Sequence, residues 1–303
     1  MNELGIHLRK DVKLLTSDSL FVIFMAVLAV ASFFIALTTC AGYVQQQTYS
    51  SSVVTKASLQ ADQATTLVSY WSSIGSIFIV IFTGVAAMAM SVEKDSGMSR
   101  YTLSHKVRGP VFFMSKMIVV ALLAAIAMLM ALIAYLITFS VMDVPMLGAD
   151  KLAASMLFPF LSILVFASLG LALSTLGSKK GAMVAVAIVV LIILSALYPI
   201  SIAIGQNAAM RVDPTLTYSN YTKALPLENQ LLIYGNPMVL SEGSSYLLGT
   251  LDYNTAQLYD PAGGVILAAV FYLAFTALGL VLFSRERMDK TWSEKARRSL
   301  KLG

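Results

Sequence analysis

Residues 182–204 read AMVAVAIVVLIILSALYPISIAI, a run of 23 residues without Asp, Glu, Lys, Arg or His. A helix needs about 20 apolar residues to cross the hydrocarbon core of a bilayer. Five further stretches reach this length without an ionisable side chain, at roughly 20–42, 71–92, 117–142, 152–176 and 263–283. None shows the alternation of apolar and polar residues that is typical of a barrel strand. The sequence therefore predicts an all-α integral membrane protein with six transmembrane helices.

The composition of the whole chain agrees with this class. Of 303 residues, 58% are apolar and 12% are charged, and the mean hydropathy is +0.79. A soluble domain carries roughly a quarter of its residues as charged side chains, so a soluble globule is excluded. The single cysteine, Cys40, excludes a disulfide framework and a cysteine-rich zinc site. Two histidines, His7 and His105, leave little for a metal centre.

The distribution of Lys and Arg predicts the orientation of the spans. The segments 1–19, 93–116, 177–181 and 284–303 hold 17 of the 21 cations, whereas 43–70, 143–151 and 205–262 hold four. The 16 acidic residues divide evenly between the two sets. Because cations mark the cytoplasmic side, we expect a multi-pass protein of the cell membrane with both termini in the cytoplasm. The same bias explains the basic character of the chain without any nucleic acid.

The chain divides into three predicted regions. Residues 1–19 form an amphipathic helix in the cytoplasmic interface, which places Leu4, Leu8, Val12 and Leu15 on one face and Arg9, Lys10, Asp11 and Lys13 elsewhere. Residues 20–284 form the transmembrane domain, and 285–303 form a basic cytoplasmic tail expected to touch anionic lipid.

Two segments between the spans are predicted to lie outside. Residues 43–70 form an exposed loop or a short helical hairpin. The segment 205–262 is the largest piece outside the membrane, and its apolar stretches 224–240 and 244–251 are too short to span. They are predicted to be interfacial or re-entrant helices, which requires protein to cover the backbone.

The common catalytic and nucleotide-binding motifs are missing from the sequence. It has no Gly-x-x-x-x-Gly-Lys-Ser/Thr, no His-Glu-x-x-His and no Gly-x-Ser-x-Gly. The predicted spans also lack the ionisable side chains on which proton-coupled pumps usually depend. If the chain transports, its energy is therefore expected to come from another subunit.

The loop between the second and third spans carries a resemblance to a known family. It reads EKDSGMSRYTLSHKVR over residues 93–108, and Lys116 precedes the third span. This resembles the permease subunits of type-2 ABC exporters, in which a Glu, a Gly four residues on, a Leu-Ser pair and later Val and Lys recur. Glu93, Gly97, Leu103, Ser104, Val107 and Lys116 match that pattern. Lys106 stands where the family often has proline, and Arg108 comes one place earlier than the usual arginine.

The resemblance implies a function and a set of partners. In the family this loop, here within 93–116, forms a coupling helix that docks on a separate ATPase subunit, and two permeases pair. The permease itself then needs no cofactor, because ATP and Mg²⁺ are bound by the ATPase. The expected partners are an ABC ATPase, a second copy or a related permease, and membrane lipids. The resemblance, together with the charged and apolar residues that a short helix over 94–105 would carry, predicts ATPase coupling by Glu93, Gly97, Arg100, Tyr101, Leu103, Ser104 and Arg108.

Two other functions stay open on the sequence alone. One is a membrane enzyme acting on lipid, which would draw its polar residues from 205–262 (Asp213, Glu228, Glu242, Asp252 and Asp260). The other is an assembly factor of a larger membrane complex. An ATPase that copurifies with the chain would separate the transport function from both.

Overall fold

The computed structural model describes residues 3–49, 56–95, 109–177, 179–215, 224–243, 247–248 and 261–300. Within them the chain is helical and contains no strand. The helices are α1 (Glu3–Thr16), α2 (Ser19–Tyr49), α3 (Lys56–Asp95), α4 (Gly109–Val141), α5 (Ala149–Ser155), α6 (Leu157–Ser174), α7 (Lys180–Val212), α8 (Leu227–Tyr234), a 3₁₀ helix (Pro237–Glu242) and α9 (Pro261–Leu300).

The six predicted spans are confirmed as helices long and apolar enough to cross a membrane. They are Ser19–Thr48, Leu59–Lys94, Pro110–Val141, Ala149–Ser174, Lys180–Val212 and Ala262–Arg285. The fourth span consists of α5 and α6, which meet at Met156. Most of these helices are longer than the predicted apolar stretches, because neighbouring helices still contact each other beyond them. The described parts of the segment 43–70 belong to α2 and α3, and Gln47 of α2 donates a hydrogen bond to Asp62 of α3 at 3.0 Å.

Helix α3 lies at the centre of the bundle. It packs against α2, α4, α6 and α7, and every residue from 81 to 93 is buried. Over this stretch the helix is covered on all sides and has no face for lipid. A close approach occurs at Gly170 in α6, where a Cβ atom would collide with the backbone carbonyl of Thr83. The absence of a side chain at this position lets α3 and α6 touch along their backbones.

Helix α1 is confirmed as amphipathic, with one correction. Leu8 and Val12 pack against the core and Leu15 is 2% exposed. Asp11 was expected away from this face, and that expectation is wrong, since Asp11 is 1% exposed. Three residues separate it from Leu8 and four from Leu15, so helical geometry places it at the edge of the same apolar row.

Part of the outer segment packs deep against α6 and α7. The Asn236 amide donates to the Leu194 carbonyl at 2.8 Å, and Val239 and Leu240 are fully buried. Leu194 falls near the middle of the predicted span 182–204, so this part of the outer segment lies beside the interior of a span. Neighbouring helices cover its backbone, as a re-entrant segment requires. In the predicted stretch 244–251, residues 244–246 and 249–251 lie outside the described residues.

Candidate functional site

The predicted coupling loop connects α3 to α4 at one end of the bundle. Helix α1, the C-termini of α3 and α6 and the N-termini of α2, α4 and α7 also meet there, and we call it the charged end. Of the predicted coupling residues, Glu93 lies in the last turn of α3. The others lie outside the described residues: Gly97, Arg100, Tyr101, Leu103, Ser104 and Arg108.

The side chain of Glu93 is completely buried and belongs to a group of paired charges. The Lys116 ammonium lies 2.9 Å from Glu93 Oε1 and 3.0 Å from Asp11 Oδ1. Lys10 lies 2.9 Å from the same Glu93 oxygen, and the Ser115 hydroxyl donates to Asp11 Oδ2 at 2.7 Å. We call Lys10, Asp11, Glu93, Ser115 and Lys116 the ion cluster. It connects α1, α3 and α4.

The ion cluster balances two positive and two negative charges, and three of its four charged side chains are buried. Lys116 is 1% exposed and Glu93 is not exposed at all. Burial raises the pKa of the Asp11 carboxyl above its ordinary value, against the opposing effects of the Lys116 charge and the Ser115 hydrogen bond. Removing one partner of a buried ion pair costs about 3–5 kcal/mol, because the other charge stays buried without compensation. The cluster therefore holds its three helices in one arrangement.

Phe112, one turn before Lys116 in α4, extends these contacts to α9. Its ring lies 4.8 Å from the Lys116 ammonium and 5.7 Å from that of Lys10. His7 in α1 meets it edge-on, and Phe283 in α9 stacks on it with ring centroids 5.6 Å apart. Cations over an aromatic face are attracted by the ring quadrupole. The start of α4 thus contacts both α1 and the end of the sixth span.

A second set of contacts holds the other helices at the charged end. Lys94, the neighbour of Glu93, donates to the Thr175 carbonyl at 2.7 Å. This interaction places a cation at the C-terminus of α6, where the helix dipole favours it. Asp18 accepts a hydrogen bond from the Leu20 amide at the start of α2 and pairs with Lys180 of α7 at 2.8 Å. Lys94, just before the segment 96–108, is therefore held by a neighbouring helix, as is Phe112 just after it.

Sequence reasoning found part of this arrangement. Glu93 and Lys116 were recognised from the family pattern, whereas Lys10, Asp11 and Ser115 were missed. For Asp11 a signal existed, because its position within the apolar row of α1 predicts burial. For Lys10 and Ser115 no local pattern indicates a partner. Among the described residues, no group of three His, Cys, Asp or Glu could hold a metal ion.

Comparison with known proteins assigns this architecture to a family. A family model described as ABC-2 family transporter protein matches residues 6–288, from α1 to beyond the sixth span. The chain belongs to this family. It is thus a membrane permease of an ABC transporter, which favours the transport function over the lipid enzyme and the assembly factor. No curated protein matches the chain in sequence. All residues of the ion cluster lie within the part of this ABC-2 permease that the family model matches, residues 6–288.

Proposed function

We propose that this ABC-2 permease is half of the membrane part of an exporter and that its loop 93–108 couples it to a separate ATPase subunit. A second copy, or a related permease, provides the other half of the translocation path. The observation that carries the proposal is the ion cluster. Glu93 at one end of the loop and Lys116 beyond its other end are joined directly, at 2.9 Å, in a buried site.

The ion cluster supports coupling because it makes the helices around the loop move together. Glu93 belongs to α3 and Lys116 to α4, so a displacement of the loop acts on both helices at once. Lys10 and Asp11 attach α1 to the same unit. Since α3 is the central helix, any motion that reaches Glu93 reaches the middle of the bundle.

The proposal divides the predicted coupling residues into two kinds. Glu93 is a positioning residue, because its carboxylate is buried against Lys116 and Lys10 and offers no surface for docking. The docking surface belongs to the loop itself, with Tyr101 and Leu103 as apolar anchors and Arg100 and Arg108 as polar partners. Gly97 permits close approach of the ATPase.

Export driven by a partner also agrees with the spans. Their apolar stretches contain no ionisable residue, whereas ion-coupled transporters usually need such groups inside the membrane. ATP hydrolysis on a separate subunit supplies the energy instead. The direction of transport is inferred from the resemblance to type-2 exporters.

The test is the amount of ATPase that copurifies with the full-length permease from membranes. Gly97→Trp should block close approach, and Leu103→Asp should bury an unpaired charge at the interface. Loss of an interface anchor commonly costs about 2 kcal/mol, which corresponds to a roughly thirtyfold weaker complex. Both variants should therefore lose the ATPase while keeping their level in the membrane.

Ser99→Ala serves as the matched control, since it removes only one hydroxyl from the same loop. It should retain the wild-type ratio of ATPase to permease. Wild-type ratios for both disruptive variants would show that the loop is an ordinary connector. Absence of any ATPase from the wild-type preparation would refute the proposed function itself.

A further inference from the structure

Helix α1 presents different faces to the protein and to its surroundings. Leu8, Val12 and Leu15 pack into the core, whereas Arg9 and Lys13 are exposed. An amphipathic helix that lies on a bilayer normally buries its apolar face in the lipid. In α1 the protein covers that face, so the face left to the surroundings is cationic.

The contacts of Asp11 place this cationic face at the level where the third span enters the bilayer. Asp11 pairs with Lys116 at 3.0 Å, and the apolar stretch 117–142 begins at the next residue. Arg9 and Lys13 are each two residues from Asp11. Two residues correspond to about 3 Å along a helix and to about 200° around it. The two cations therefore lie on the side opposite the ion cluster, at the depth of the lipid headgroups.

The described charges at the charged end are sorted by sign. Three carboxylates there are at most 8% exposed and are each paired with a lysine, namely Asp11, Asp18 and Glu93. Four cations there are exposed, namely Arg9, Lys13, Lys179 and Arg285. The described surface at this end is therefore positive, and it attracts anions.

Arg9 and Lys13 are spaced so that they can share one anion. Residues four apart on a helix have Cβ atoms about 5–6 Å from one another, so both side chains can reach the same phosphate. Like charges at this spacing destabilise a helix, and an anion bound between them removes the repulsion. A guanidinium donates two parallel hydrogen bonds to a phosphate, and an ammonium adds a point charge.

We propose that Arg9 and Lys13 bind the phosphate of an anionic phospholipid and that this lipid fixes α1 beside the ion cluster. Charge and depth identify the occupant, because anionic headgroups are concentrated at the membrane surface. The neighbouring residues Lys10 and Asp11 join α1 to α3 and α4. Lipid on the outward face of α1 therefore stabilises the arrangement that the ion cluster holds from the inner side. The lipid site is independent of the proposed coupling to an ATPase.

The test follows the unfolding midpoint of the full-length permease in mixed micelles as phosphatidylglycerol is added. This lipid should raise the wild-type midpoint, because a ligand that binds only the folded state stabilises it, whereas phosphatidylcholine should not. Each Lys or Arg beside an anionic surface strengthens binding about fivefold. The double variant Arg9→Gln with Lys13→Gln should therefore need about 25-fold more phosphatidylglycerol for the same rise.

Two control variants make the measurement specific to α1. Lys179→Gln with Arg285→Gln removes the same charge from the charged end and leaves α1 intact, so it should shift the titration by less than about twofold. Arg9→Lys with Lys13→Arg keeps both charges and should bind the lipid as the wild type does. Because all four side chains are exposed, every variant should unfold close to the wild-type midpoint in phosphatidylcholine alone.

Several outcomes would overturn the inference. An unchanged titration in the Arg9 and Lys13 variant, or an equal loss in the Lys179 and Arg285 variant, would show that α1 holds no lipid site of its own. Inorganic phosphate that raises the midpoint as phosphatidylglycerol does would assign the site to a soluble anion. A variant of Arg9 and Lys13 that binds the lipid as the wild type does but loses copurified ATPase would show that this face docks a protein.

Discussion

Lys116 provides the most direct test of the ion cluster, because it contacts both buried carboxylates. Lys116→Met keeps the length of the side chain and removes its charge. Asp11 then loses its cation and keeps only the Ser115 hydroxyl, while Glu93 keeps Lys10. The cluster changes from balanced charge to a net charge of about −1. A buried charge left without its partner costs about 3–5 kcal/mol.

The assay is thermal unfolding of the purified permease in detergent. At about 2–4 °C per kcal/mol, the midpoint should fall by roughly 6–20 °C. Lys151→Met is the matched control, because Lys151 in α5 is exposed, and it should change the midpoint by little. The same substitution at the two sites differs only in burial and partners.

A double variant then separates charge imbalance from lost packing. Adding Asp11→Asn to Lys116→Met removes the uncompensated carboxylate and restores the charge balance. The two changes should therefore be non-additive, with a coupling of about 0.5–3 kcal/mol in favour of the double variant. A Lys116→Met midpoint within a degree of wild type, or strictly additive effects, would refute the view that buried charge pairing holds α1, α3 and α4 together.

Three further predictions concern other features of the molecule. Gly170→Ala should bring a methyl group against the backbone of α3 and destabilise the permease by about 1–3 kcal/mol in the same unfolding assay, whereas Gly181→Ala, in open space, should not. A cysteine at Ser178 should resist an impermeant thiol reagent in intact cells while one at Gln46 reacts; the reverse pattern would invert the topology. Because burial raises the pKa of Asp11 above 3.8, the folded state holds this proton more tightly than the unfolded state does. The resulting stabilisation is complete below the ordinary pKa and is lost as the pH rises through the raised one. Raising the pH from about 4 to about 8 should therefore lower the unfolding midpoint of the wild type relative to that of Asp11→Asn. A midpoint difference that does not change with pH would contradict the assignment.

The six spans could be predicted because their signal is local. Each is a run of about 20 apolar residues, and the bilayer imposes that length on any helix that crosses it. The full lengths of the helices could not be predicted in the same way. Helix α3 begins at Lys56, well before the apolar stretch 71–92, since contacts with α2 such as Gln47 to Asp62 stabilise its polar outer turns.

The ion cluster could not be assembled from the sequence, because its partners are distant in the chain. Lys116 is 105 residues from Asp11 and 23 from Glu93. Periodicity shows that Asp11 lies at the edge of an apolar row, but it does not identify the cation that compensates it. The contact of Asn236 with Leu194 spans 42 residues and escapes sequence reasoning for the same reason.

The two ends of the bundle are held by different kinds of contact, and the difference bears on coupling. At the end opposite the charged end, Tyr70 donates to the Ala131 carbonyl and Trp71 to the Ser155 hydroxyl within a buried aromatic cluster. Two irregularities also lie away from the charged end, the meeting of α5 and α6 at Met156 and Pro199 inside α7. At the charged end, paired charges in fixed geometry join α1, α3 and α4, and a buried charge cannot leave its partner without a large cost. If the loop receives the ATPase, α1, α3 and α4 therefore move as one body at the charged end, and a change of shape is accommodated towards the opposite end of the bundle.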